Sequence, residues 1–389
     1  MIKNIYLIDS LRTPIGNPYK GLKDFKAPEL AALCIKEILR RNQLTAPLLD
    51  EIILGNTVSA GSGQNLARQA VGLAGLPVTT PALTINNVCG SGLHSVILAA
   101  QAIIAGDADM VLAGGTESVS HNPYLAFKND EIKIEEKDFM DSLVHDGLWC
   151  SLTNKHMGQL AEALADEFHI HREAQDRYSL ESHHKACRAQ KDNKFRREMI
   201  SVLGKQSTCM DRDDHPRVNV DLEKLRSLPP AFMKNGTVTA GNSSVPCDGA
   251  ACVLAASEEF IKINNGKPKA KILSYATVAL DPEKVFTAGV KAVQECLKKA
   301  DLSLRGVDLF EISESFAVQA IWTRQQLNIP EEKMNIWGGD VALGHPLGAA
   351  GARVLVTLLH ALEDQKKKNG VAVVCFGGGG AVAMAIEMV

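Results

Sequence analysis

NNVCGSGLHSVILAAQAIIAG, residues 86–106, decides how this chain is read. Leu93, Val96, Ile97, Ala100, Ile103 and Ile104 recur at three- and four-residue intervals, which gives a helix one apolar face. Cys89 therefore falls at or just before a helix N-terminus. Unpaired amides and the helix dipole there favour a thiolate over a thiol. Gly90 and Gly92 carry no side chain, so a ligand is expected to approach the backbone closely. This is the setting a cysteine nucleophile needs. A buried structural cysteine is the commoner alternative, and the rest of the chain must decide between them.

The remaining composition sets the frame. At 389 residues the chain suits two or three domains. Hydrophobic residues make up 46% and charged residues 22%, as in a globular protein with a large core. A net charge of -3 gives no reason to expect nucleic acid or an anionic membrane surface as a partner. No apolar run reads as long enough to span a bilayer. The first residues reach Asp9 and Arg12 too soon for a signal peptide and alternate like a strand. Nine scattered cysteines without CxxC spacing argue against a disulfide framework and against structural zinc. A reducing cytoplasm is the expected compartment.

Taken in order, residues 2–9 predict a strand, 27–41 a helix with Pro28 in its first turn, and 50–55 a short apolar strand. A helix near 65–73 follows, then the opening stretch, then a buried strand at 109–115. Alternating strands and helices imply an α/β fold with a mostly buried sheet. The second half repeats this order. VDLFEI at 307–312 answers DEIILG at 50–55, and VAVVCF at 371–376 runs into glycines as DMVLAGG at 109–115 does. The spacing from residue 51 to Cys89 nearly equals that from residue 308 to His345. An internal duplication follows, with Cys89 and His345 in equivalent strand-to-helix turns. Residues 119–247 break the pattern, with a charge run at 129–138, helices near 158–168 and 172–190, and the turn-rich DRDDHPR at 211–217. So long a segment between two α/β units reads as an inserted domain.

Four segments carry chemistry. Cys89 is the first. His345, in the small-residue turn GHP at 344–346, is suited to polarise a thiol or donate to an oxyanion, or is simply structural. CFGGGG at 375–380 places Cys375 at a strand end and exposes backbone amides suited to an oxyanion; it lacks the Lys-Ser/Thr of a phosphate loop. SESFAVQA at 313–320 puts Glu314 just past a strand, either functional or a structural acceptor. Two cysteines and one histidine lack the short spacing and fourth ligand of a zinc site. Two thiols also allow a division of labour, one carrying an acyl group and the other moving a proton at a carbon alpha to a thioester.

NNVCGSGLHSV, GGTES at 114–118, TVTAGNSS at 237–244, GHPLGAAGAR and CFGGGGAVAMAIE, with RTPIG at 12–16 and HMG at 156–158, resemble the thiolase family, the acyl-CoA acetyltransferases, from end to end. The resemblance implies a duplicated αβαβα fold. Its first half covers 1–118, completed by about 248–268; an inserted, coenzyme A-binding loop domain covers 119–247; the second half covers 269–389. It implies coenzyme A and acyl-CoA as substrates, with no metal and no other cofactor. Carried over by position, Cys89 becomes acylated, His345 activates it, and Cys375 is the acid/base. The Cys89 and Gly377 amides form one oxyanion hole. Leu148, His156, Met157, Arg217, Ala240 and Ser244 match positions near coenzyme A, and Phe316 walls the acyl pocket. The family forms dimers, often paired into tetramers through the segment matching 121–139. A homotetramer is therefore expected over a dimer.

Two departures stand out. Ser313 stands where the family usually has Asn, a residue that positions a water for the His-based oxyanion hole. A serine hydroxyl can still hold a water. KVFTAGVKAV at 284–293 departs from the usual Met-Gly and Gly-Pro pattern, so Val285 and Phe286 bear on acyl chain length. The expected reaction is thiolysis of a 3-ketoacyl-CoA, or the reverse Claisen condensation, through acyl-Cys89. The alternatives are a decarboxylating ketoacyl synthase, which Cys375 speaks against, a cysteine hydrolase, and a non-catalytic acyl-CoA binder made conceivable by Ser313.

Overall fold

The computed structural model describes residues 4–44, 48–127, 138–204 and 209–389. Apart from Asp138, the charge run at 129–138 lies outside the described residues, and so do residues 2 and 3 of the expected first strand. The sheet strands are β1 (Ile5–Arg12), β2 (Glu51–Gly55), β3 (Ala82–Ile85), β4 (Met110–Glu117), β5 (Gly249–Ser257), β6 (Ala270–Ala279), β7 (Leu309–Ile312), β8 (Asn369–Phe376) and β9 (Gly380–Met388). The helices used below are α1 (Ala27–Arg41), α2 (Leu66–Ala74), α3 (Ser91–Ala105), α4 (Met157–Glu167), α5 (Arg172–Lys191), α6 (Ala288–Lys299), α7 (Ala317–Gln326), α8 (Asp340–Leu343) and α9 (Leu347–Gln365).

The strand order is β7-β8-β9-β6-β1-β5-β4-β2-β3. The duplication is written in it. From β1 outward the first half runs β1, β5, β4, β2, β3, with the first two pairings antiparallel and the last two parallel. From β6 outward the second half runs β6, β9, β8, β7 with the same sequence of pairings, and Met334 bridges in parallel to Phe310 where β3 would lie. The halves join where Tyr6 and Leu7 of β1 meet Lys271 and Ala270 of β6.

Burial explains the layering. One core cluster packs α3 and α9 together with residues of both half-sheets. A second packs α1 and α2 on the outer face of the first half, and a third packs α6 and α7 on the outer face of the second. Helix and sheet therefore alternate in five layers, and α3 and α9 share the middle one. Helix α9 is buried through Leu362, whereas α3 buries its Leu93, Val96, Ile97, Ala100 and Ile103 face and leaves Gln101, Ile104 and Ala105 exposed. Val88–Ala105 is long and apolar enough to cross a membrane, with a mean hydropathy of 1.7. The sequence reading discounted such a run. It belongs to a core helix, where its apolar side chains pack against α9 and the sheet.

The chain leaves the sheet after Glu117 and returns at Gly249, which pairs with Glu117 itself. Helices α4 and α5 lie in the excursion, within one residue of the expected bounds. Two buried charge sets tie it down. Arg12 of the RTPIG motif donates to Glu198 at 2.6 Å and to both oxygens of Asp213, in the turn-rich segment, at 2.6 and 2.9 Å. Glu314 accepts from Tyr178 and Ser182 of α5, from Asn335, and from the Val341 amide, at 2.7–3.1 Å. Glu314 is thus a structural acceptor, which fixes α5 to the second half.

Candidate active site

Cys89 is presented by the turn between β3 and α3, two residues before the helix begins. Val88 precedes it at φ 49°, in the left-handed region that a β-branched residue avoids. The surroundings hold it there. Its amide donates to Asn86 Oδ1 (3.0 Å), and its carbonyl accepts from the hydroxyls of Thr57 (3.1 Å) and Ser91 (2.6 Å). Gly90 and Gly92, expected to let a ligand approach the backbone, are also closely packed by protein. A Cβ on Gly90 would meet the Phe376 ring at 2.6 Å, and one on Gly92 would meet the Ala352 amide nitrogen at 2.7 Å. Their missing side chains make room for Phe376 and for α9.

His345 lies two residues before α9, the counterpart of Cys89 before α3. Gly344, at φ 97°, turns the chain out of α8, and the His345 amide and carbonyl bond to Val245 and Cys247 at 2.8 and 3.1 Å. The imidazole is buried. Nδ1 donates to Asp340 Oδ2 at 3.1 Å, while Nε2 has no well-placed hydrogen-bond partner among the described residues. Burial pulls the imidazole pKa down, but the nearby Cys89 sulphur and then Asp340 raise it to about 10.

Asp340 opens α8 and is fully buried. Its Oδ2 also accepts from Ser313 Oγ at 2.5 Å, and its Oδ1 from Arg353 Nη2 at 2.5 Å. Burial works against the carboxylate, yet the charges of Arg353 and His345 and the hydrogen bonds from His345 and Ser313 hold its pKa below the ordinary range. Nothing in the sequence reading singled out Asp340. Ser313, expected to hold a water at the oxyanion hole, donates its hydroxyl to this carboxylate, and its oxygen lone pairs stay free to accept.

Cys375 ends β8 and is buried. Burial pushes its thiol up to about 12, against a hydrogen bond from the Gly289 amide in the first turn of α6. The strand then turns through Gly378 and Gly379, at φ 89° and 92°, back into β9.

Cys89, His345, Cys375 and Gly377 line one cavity of about 210 Å³. Of the residues expected near coenzyme A, Leu148, His156, Met157 and Ser244 line it, as does Phe316. Arg217 and Ala240 do not; both are exposed, and the Arg217 amide lies 3.3 Å from His183 Nδ1. The sequence reading missed Val88, Gly147, Phe232, Ser243, Pro246 and Ser315, which also form the wall. Three aromatic rings pack edge to face along one side, Phe232 on Phe316 (6.0 Å) and Phe286 on Phe316 (5.3 Å). His156 stacks on Phe232 at 5.0 Å; burial lowers its pKa. A more open cavity of about 400 Å³ shares Val88, Gly147, Met157 and Gly377 with the first. Such a site offers two thiols of different exposure, one imidazole and backbone amides around an apolar pocket.

Comparison with known proteins agrees with this arrangement. The thiolase N-terminal domain model matches residues 5–259 and the thiolase C-terminal domain model residues 266–388. An acetyl-CoA acetyltransferase of Chromobacterium violaceum is 45% identical over 98% of this chain and 99% of its own. The crystal structure of the Bacillus anthracis acetyl-CoA acetyltransferase superposes with a TM-score of 0.96 at 34% identity, covering 100% of this chain and 99% of that one. A thiolase from Ascaris suum in complex with coenzyme A gives 0.94 at 37% identity, with both chains fully covered. The duplicated sheet, the paired turns before α3 and α9 and these whole-length similarities have one common explanation: the chain belongs to the thiolase family of acyltransferases.

Proposed function

We propose that this protein cleaves a 3-ketoacyl-CoA with coenzyme A into acetyl-CoA and a shortened acyl-CoA, or runs the reverse condensation. The observation that carries the reading is two thiols with an imidazole on one apolar cavity, Cys89 half-buried beside His345 and Cys375 fully buried. Cys89 attacks the 3-keto carbon, with its proton taken by His345 Nε2. The carbon–carbon bond breaks, and Cys375 protonates the departing acetyl-CoA enolate. A thiol held near 12 keeps its proton at neutral pH and has it ready to give. Coenzyme A then takes the acyl group from Cys89. Coenzyme A occupies the open cavity beside Met157 and Gly377, with Arg217 and Ala240 serving its exposed end. The Cys89 and Gly377 amides hold the oxyanion. The protein works as a homotetramer in the cytoplasm, and light scattering reads the assembly directly.

The test is chemical. Mixing the protein with acetyl-CoA should acylate Cys89 stoichiometrically, as read by peptide mass spectrometry, and added coenzyme A should discharge it. A binder that turns nothing over would retain acetyl-CoA without forming the adduct. Cys375→Ala should still acylate at Cys89 but lose on the order of 10²–10⁴ in acetoacetyl-CoA thiolysis. A Cys89→Ala protein that still cleaves acetoacetyl-CoA would end this mechanism.

A further inference from the structure

We infer that Asp340 is a positioning residue for His345, so that this chain runs its nucleophile as a Cys89–His345–Asp340 relay steered by Arg353. The inference rests on the reading of Cys89 as the acylated thiol. Its own ground is geometric. Among the described residues, only one of the two His345 ring nitrogens has a partner at hydrogen-bond geometry. Nδ1 is committed to Asp340 Oδ2 at 3.1 Å, and Nε2 is buried, without a hydrogen-bond partner of good geometry, on the cavity it shares with Cys89. A carboxylate only accepts, so Nδ1 must carry a proton; in the neutral ring Nε2 then presents its lone pair, and once that lone pair has taken the Cys89 proton the ring rests as the imidazolium beside the Cys89 sulphur. That lone pair is what Cys89 needs to lose its proton.

Arg353 makes the arrangement one-sided. It is buried and bridges Glu311 at 2.9 Å and Asp340 Oδ1 at 2.5 Å. One carboxylate oxygen is thereby used by a guanidinium, and the other is left for His345 and Ser313. The charged and titratable groups around the imidazole are Cys89 and Asp340, with Arg353, Glu311 and Glu314 behind Asp340 and Cys375 beyond Cys89. A carboxylate this enclosed has no reorganisation to undergo when His345 becomes charged.

The steps balance. The Cys89 S–H proton moves to Nε2, which leaves a thiolate and an imidazolium with Nδ1–H still donated to Asp340. The thiolate attacks the thioester carbon of acetyl-CoA, and the collapsing intermediate breaks the bond to the coenzyme A sulphur. That sulphur leaves with the proton from Nε2. Asp340 takes no proton at any point. Ser313 is part of the same device, because its hydroxyl steadies the oxygen that His345 uses.

Asp340→Asn is the deciding variant. Arg353 can only donate, so the amide oxygen must face Arg353 and the amide NH₂ must face His345. Nδ1 then has to accept, and the ring is driven to the Nε2–H tautomer, which cannot take the Cys89 proton. The probe is iodoacetamide, with alkylation of Cys89 followed by mass spectrometry across pH. The expected result is a profile displaced to higher pH, with alkylation at pH 7 slowed on the order of tenfold or more. Acylation by acetyl-CoA should fall by about 10²–10⁴ in kcat with KM little changed, as for loss of the orienting carboxylate in other nucleophile–His–Asp sites. An unchanged alkylation profile in folded Asp340→Asn overturns the inference. Should the variant not fold, ¹⁵N spectra of histidine-labelled wild-type protein decide instead, with the His345 signal assigned by its loss in His345→Asn. A protonated Nδ1 supports the relay, and a bare Nδ1 overturns it. A wild-type protein that acetyl-CoA does not acylate, but whose alkylation profile still moves in Asp340→Asn, would refute the thiolase reading and leave the relay standing.

Discussion

His345 shows how a single residue is set by its neighbours. An imidazole buried this completely would ordinarily be neutral at pH 7, because desolvation disfavours charge. The Cys89 sulphur and Asp340 reverse that and raise its pKa to about 10, against about 6.5 in an unfolded chain. A raised pKa means the folded state binds this proton more tightly than the unfolded state does. The stabilisation is therefore full below pH 6.5 and is lost as pH rises through about 10. Comparing urea unfolding of the wild type with His345→Asn tests this. The wild-type advantage should shrink steadily between pH 7 and pH 10, and a constant difference across that range would show that the imidazole is not charged in the fold. Cys89 and His345 were legible in the sequence because each sits in its own short pattern, a small-residue turn running into a helix. Asp340 was not. It lies only five positions before His345, yet Ser313 and Arg353 gather on it from other elements, and no local periodicity records such a meeting.

At the scale of elements, the same contrast separates the sheet from the pocket wall. Helix α3 follows from apolar spacing and the duplication from the matched order of segments, whereas the layered αβαβα arrangement came only with the family resemblance and the strand order had no signal of its own. The wall is not built from any one pattern. Phe232 comes from a loop of the excursion, Phe286 from the turn that leads into α6, and Phe316 from the residue just before α7. Only Phe286 and Phe316 drew attention beforehand, and only because of their place in family motifs. Phe286 packs edge to face on Phe316 and faces the cavity, whereas Val285 beside it points into the core. The two residues suspected of setting chain length therefore differ in role. Phe286→Ala should open the wall and raise kcat/KM for six- and eight-carbon 3-ketoacyl-CoA relative to acetoacetyl-CoA by about tenfold, the scale of a methylene or two in an apolar pocket. The variant should also lose about 3–5 kcal/mol of stability as a truncated buried aromatic. Assays over a chain-length series read the first effect. An unchanged preference would move the length limit to Phe232 or Leu148.

The whole molecule is organised so that its chemistry straddles the seam between the two halves. Cys89 belongs to the first half and His345 to the second, and the helices that follow them, α3 and α9, touch through residues with little or no side chain. A Cβ on Gly351 would lie 2.5 Å from the Leu93 amide nitrogen and 2.8 Å from its Cβ. Backbone, not a flexible side-chain end, would have to move. Gly351→Ala improves helix propensity yet pushes the two helices apart at the seam, which should cost about 1–3 kcal/mol as overpacking. The consequence for chemistry should be larger, because a displacement of about 1 Å between reacting groups costs on the order of 10² in rate. Gly72→Ala is the matched control. Gly72 is exposed on the outer helix α2, and a Cβ there meets nothing within 4 Å. It should be neutral or stabilising by up to about 1 kcal/mol, with activity intact. Urea unfolding and the rate of Cys89 acylation, measured on both variants, separate packing from catalysis. If Gly351→Ala loses stability but acylates at the wild-type rate, the helix seam does not set the distance between nucleophile and base. If it loses both, the close contact of α3 with α9 is what lets one half of the duplicated fold activate the other.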